Sequence, residues 1–94
     1  MARHRYLITY DISDPRRLRH VCKTMEEYGD RIQYSVFICD LSRTELLHAR
    51  TDIEAILEPQ EDSVVIIDLG EPDHSAIIFI GRRRNLPTTK PKIV

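Results

Sequence analysis

Arg31-Ile32-Gln33-Tyr34-Ser35-Val36-Phe37-Ile38-Cys39 is the stretch on which the fold depends. Ile32, Tyr34, Val36 and Ile38 alternate along it, the two-residue period of a β-strand, and 31–39 is expected as a second strand. Upstream, Tyr6-Leu7-Ile8-Thr9-Tyr10-Asp11-Ile12 is rich in β-formers and reads as a first strand ending at Ser13-Asp14-Pro15. Asp14 is a good N-cap, and Pro15 suits the first helical position. Leu18, Val21, Cys22 and Met25 then recur at helical spacing, with Gly29 as a C-terminal stop. Downstream, Ser42-Arg43-Thr44-Glu45 has the form of a capping box. It opens an apolar stripe of Leu46, Ala49, Ile53, Ile56 and Leu57 that ends at Pro59. Residues 64–69 and 76–80 read as two more strands, joined by Gly70-Glu71-Pro72-Asp73-His74.

These segments are assigned to an α+β, ferredoxin-like βαββαβ fold, a four-stranded antiparallel sheet with two helices on one face. A sheet covered on one face alternates apolar and polar residues, yet 64–67 and 76–80 are apolar throughout. The second face therefore also needs cover, and a second copy of the chain, dimerised through the sheets, is the economical candidate. Residues 1–81 form the expected domain. Residues 82–94 form a basic C-terminal tail, open to two readings: a frayed polar end, or an edge strand docked through Ile93 and Val94.

Ninety-four residues make one domain, and 41% hydrophobic with 31% charged content is ordinary for a globular chain. The apolar runs fall far short of the ~20 residues of a membrane span. Met1-Ala2-Arg3-His4-Arg5 has no signal-peptide pattern, and Cys22 and Cys39 lack any CxxC spacing, so free thiols in a cytoplasmic protein are expected. The net charge is −1, but it is unevenly spread. Residues 1–39 carry +2, 40–74 carry −8 and 75–94 carry +5, so a fold that joins the chain ends would present a basic face.

No Gly-rich phosphate loop, GxSxG or HExxH-type spacing occurs. What remains is Asp11, a carboxylate near the end of an apolar and aromatic strand, with Asp14 three residues on. It is either a turn-forming or capping acid, or a metal-binding and catalytic one. One Asp is a poor Mg²⁺ site, whereas two copies of Asp11 across a two-fold axis could share one ion that activates water for phosphodiester attack. Arg16, Arg17, Arg19 and Lys23 mark the polar side of the first helix, Arg31 opens the second strand, and Arg82, Arg83 and Arg84 follow the fourth. They are either a solvated face or a nucleic-acid surface. Eleven Arg against three Lys suits bidentate phosphate contacts. Tyr10, Tyr34 and Phe37 are open to core, interface or base-stacking roles.

Three segments together resemble the CRISPR-associated Cas-two (Cas2) family: Tyr10-Asp11-Ile12-Ser13-Asp14, Arg17-Leu18-Arg19-His20-Val21, and 28–37, with its Arg-Ile-Gln-Tyr-Ser-Val-Phe run. The resemblance spans residues 5–81. It implies a ferredoxin-like homodimer that binds DNA or RNA in spacer acquisition and bridges two dimers of the Cas-one integrase. It implies that Asp11 is the catalytic and metal-binding position of a Mg²⁺-dependent endonuclease, with Tyr10, Asp14 and Phe37 as supporting residues. Two other roles on the same fold stay open, a non-enzymatic DNA-binding scaffold and a toxin-type ribonuclease. Where many members carry an acid just after the signature Phe, this chain has Ile38-Cys39 before Asp40.

Overall fold

The computed structural model describes residues 2–72 and 77–81. The chain forms β1 (His4–Asp11), α1 (Pro15–Met25), β2 (Asp30–Gln33), β3 (Val36–Leu41), α2 (Arg43–Glu54) and β4 (Ser63–Asp68). All paired strands are antiparallel and lie in the order β2-β3-β1-β4. The ferredoxin-like βαββαβ order holds, but its strands differ from those expected. In chain order the expected segments amount to βαβαββ.

The missing strand comes from 31–39, which is a hairpin and not one strand. Gln33 pairs with Val36 across the turn at Tyr34 and Ser35, and the pairing shifts between Arg31 and Gln33. Two-residue hairpin turns usually advertise themselves with Asn-Gly or Gly, because their favoured types need positive φ. Here neither Tyr34 nor Ser35 has positive φ, so no such residue marks the turn. The Arg31 guanidinium holds it instead, donating from Nε and Nη2 to the Tyr34 carbonyl at 3.1 and 2.9 Å. Phe37, Cys39 and Leu41 enter the core, and Val36 and Ile38 lie on the other face.

The sheet is complete without 77–80, which forms no strand among the described residues, with Ile78 and Ile80 exposed. Ala76, His74, Arg82, Arg83, Arg84 and the rest of the 82–94 tail lie outside the described residues.

Both helices start as their caps dictate. Asp14 Oδ2 accepts from the Arg16 and Arg17 N–H groups, each at 3.0 Å. In α2, Ser42 Oγ accepts from Glu45 N while Glu45 Oε1 accepts from Ser42 N. The helix ends at Glu54, earlier than the apolar stripe, but Ile56 and Leu57 still pack on the core. That core unites Tyr6, Ile8 and Tyr10 of β1 with Phe37, Cys39 and Leu41 of β3 and with Val21, Met25 and Ile53 of the helices. Burial raises the Cys39 thiol to about 12, so it is an inert packing group. No helix among the described residues is long and apolar enough to cross a membrane.

No helix among the described residues covers the opposite sheet face. Leu7 stands between Ile38 and Ile67, and Thr9 between Val36 and Val65. Val65 and Ile67 are exposed.

Gly29 has a different role from the helix stop first assigned to it. A Cβ there would run into Cys39 Sγ and the Ile38 carbonyl oxygen, so the chain enters β2 only because this residue has no side chain. Gly29→Ala should therefore destabilise the fold by about 1–3 kcal/mol, read from the urea unfolding midpoint. An unchanged midpoint would mean that β3 shifts freely to make room.

Candidate active site and basic surface

Asp11 ends β1 on the helix-free face, in register with Ser63 of β4, and its side chain is exposed. Among the described residues its carboxylate accepts no hydrogen bond. Backbone alternation sends its neighbour Tyr10 to the opposite face. Tyr10 is buried there, its ring 6.1 Å from that of Phe37, which is wholly buried. The structure therefore separates Tyr10 and Phe37 from Asp11. Phe37 is a wholly buried core residue, the core role being one of the three left open for it. Asp14 is likewise occupied, as the α1 cap. The Arg17 N–H first, then that of Arg16, lowers its pKa.

Beyond Asp11 the chain turns into α1, and this turn is held by a residue that sequence reasoning missed. The Asp62 side chain is fully buried against Arg17. Its carboxylate accepts from Arg17 Nε at 2.7 Å, Arg17 Nη2 at 3.2 Å, Ser13 N at 2.9 Å and Glu58 N at 2.9 Å. Arg17 Nη2 also reaches Glu61, and Ser13 Oγ donates to the Glu61 carbonyl at 2.7 Å. The Arg17 side-chain bonds, foremost, and the two backbone N–H groups outweigh burial and hold the Asp62 carboxyl well below the usual carboxylate range. Arg17 thus bridges α1 to the segment before β4, so of the cations expected on this surface it is one that carries ion pairs. Its bond from Glu58 N is local, but no local pattern marks the role of Asp62, because Arg17 and Ser13 lie 45 and 49 residues away.

The other expected cations divide. Arg16, Arg19 and Lys23 are exposed along one side of α1, and their side chains make no hydrogen bond or ion pair among the described residues. Arg31 is half-buried, bonded to the Tyr34 carbonyl and set 5.1 Å from the centroid of the Tyr34 ring. At the far end of β1, Arg5 is paired with Asp40 through two bonds of 2.8 and 3.0 Å, and Arg3 with Glu45. The helix-free face thus carries an ion pair at one end, apolar residues in the middle and Asp11 at the other end.

The family model for CRISPR associated protein Cas2 matches residues 4–77. A Rhodospirillum rubrum protein named CRISPR-associated endoribonuclease Cas2 1 is 41% identical over 73% of this chain and 68% of its own length. A Halalkalibacterium halodurans CRISPR-associated endonuclease Cas2 is 32% identical, over 93% of this chain and 96% of its own. Among solved structures, Streptococcus pyogenes Cas2 has a TM-score of 0.73 at 32% identity, covering 82% of this chain and 99% of that one. A hypothetical protein from Thermus thermophilus reaches 0.79 at 25% identity, covering 89% and 98%.

The Asp62 clamp makes a pH-dependent contribution to stability. A carboxylate whose folded pKa is depressed stabilises the fold above its unfolded pKa and loses that effect as pH falls toward the folded value. Asp62→Asn should lower the thermal midpoint by several degrees at neutral pH, and the gap to wild type should narrow below about pH 4. Melting curves of both proteins across that range test this. A gap independent of pH would mean that the Asp62 charge does not stabilise the turn.

Proposed function

The chain belongs to the Cas2 family of CRISPR-associated proteins, and from that premise we propose that it is a Mg²⁺-dependent endonuclease of spacer acquisition. In this reading it works in the cytoplasm as a homodimer that binds DNA or RNA and bridges the Cas-one integrase. The endoribonuclease and endonuclease names of the relatives support the hydrolytic part.

The observation that carries the reading is the availability of Asp11. Of the acids around the β1–α1 turn, Asp14 and Asp62 have N–H donors on their carboxylates, while Asp11 is exposed and has none among the described residues. A free carboxylate of this kind suits Mg²⁺, a hard cation that keeps several waters and needs only one or two protein carboxylates. The described residues gather no group of three His, Cys, Asp or Glu side chains, which favours an ion shared by Asp11 of two copies over a cage within one. When bound, Mg²⁺ supplies charge neutralisation at the scissile phosphate and a water of lowered pKa. Asp11 holds the ion, Arg16 and Arg19 hold the phosphate backbone, and Arg17 with Asp62 keeps the end of β1 in place. Arg82, Arg83 and Arg84 add basic charge after residue 81.

Dimerisation through the sheets is supported by the helix-free face, where Leu7, Val36, Ile38, Val65 and Ile67 form an apolar centre. The same single acid per chain also favours a second reading, a non-enzymatic scaffold whose DNA binding needs no ion.

Cleavage of RNA and DNA, with and without Mg²⁺, by wild type and Asp11→Asn separates the two. Asp11→Asn should abolish metal-dependent cleavage while leaving the fold and nucleic-acid affinity unchanged. Cleavage that persists would place the chemistry elsewhere. Spacer integration that proceeds normally in the mutant would make the role structural. Light scattering at micromolar concentration should give twice the 11.0 kDa of one chain, and a monomer across that range would overturn the dimer.

A further inference from the structure

On the helix side of the sheet, away from Asp11, α1 and the β2–β3 turn enclose an open recess of about 490 Å³. We propose that this recess takes one unpaired nucleotide of a single-stranded substrate, its base against Tyr34 and its phosphate between Arg19 and Lys23. The proposal rests on the reading that the chain binds nucleic acid and names the form of nucleic acid that this second site would select.

Four observations converge there. The Tyr34 ring is 64% exposed, an unusual cost for an aromatic at a turn, and the Arg31 guanidinium beside it is pinned to the Tyr34 carbonyl. Ring and guanidinium thus form a rigid platform of the kind on which single-stranded bases stack. Arg19 and Lys23 line the recess one helical turn apart and have no ion pair among the described residues, as a phosphate site requires. Glu26 is the one acid in the lining, against Arg19, Lys23 and Arg31, so the recess keeps a net positive charge. Finally, Tyr10 lines the recess, and its buried hydroxyl has no partner stronger than the nearby Cys22 thiol.

An orphaned buried hydroxyl is costly and calls for an explanation. The Cys22 thiol beside it is a weak partner. Burial foremost keeps the phenol protonated, so it remains a donor for an acceptor group on a ligand. A base within a duplex is stacked on its neighbours and cannot reach Tyr34, which is why the occupant is an unpaired nucleotide.

The test uses Asp11→Asn protein in EDTA, so that binding is read without cleavage, with a short labelled RNA offered as a single strand and as a blunt duplex. Tyr34→Ala should weaken single-strand binding about tenfold and leave duplex binding within about twofold, while Tyr34→Phe keeps wild-type affinity. Tyr10→Phe should weaken single-strand binding about threefold with an unchanged or higher thermal midpoint, since it removes an unpaired hydroxyl. Equal losses on both RNAs, or no loss on either, would overturn the proposal. Cleavage by the Asp11 protein is measured separately. If it survives Tyr34→Ala with single-strand affinity intact, this site alone fails; if Tyr34-dependent binding holds without any Mg²⁺-dependent cleavage, the nuclease reading alone fails.

Discussion

The buried Asp62 carboxylate holds three segments of chain that otherwise have no reason to meet. A lone charge in that position would be too costly to keep, and it is tolerated because four N–H donors from Ser13, Arg17 and Glu58 surround it. The strand that carries Asp11, the helix that carries the free cations and the approach to β4 all end at this one group. Ser13 lies two residues past Asp11 and Ser63 lies opposite it, so the clamp flanks the candidate site on both strands. Its removal would loosen the end of β1 without touching the hydrophobic core.

This arrangement sorts the arginines by function. A guanidinium whose Nε and Nη2 donors satisfy carboxylates has only its Nη1 donors left for a phosphate. Arg17 falls in that class, and Arg5 with Asp40 is a more exposed version of it. Arg16, Arg19 and Lys23 sit on the outer side of the same helix, and their side chains make no hydrogen bond or ion pair among the described residues. Proximity in sequence conceals the difference, since Arg16 and Arg17 are adjacent and a helix turns by 100° between them.

The two sheet faces separate two kinds of chemistry. The helix side buries aromatic rings and leaves a recess beside the β2–β3 turn. The open side presents an apolar centre with a carboxylate at its end. Because Tyr10 and Asp11 are consecutive in a strand, they serve opposite faces, and any substrate that engages both must wrap the edge of the sheet.

The sequence by itself determined what local rules govern. The caps at Asp14 and Ser42, the presence of β1 and α1, and the placing of Asp11 at a strand end follow from hydrogen bonds and periodicities within a few residues. The apolar open face was legible too, because 64–67 abandons alternation. The hairpin within 31–39 was not legible, since its turn uses neither Gly nor Asn and its alternation passes unbroken through Tyr34. Nor were the roles of Arg17 and Gly29: one is decided by a carboxylate 45 residues away and the other by the close approach of β3. Such contacts depend on which elements the fold makes neighbours. No local periodicity encodes them, so only the tertiary structure decided them.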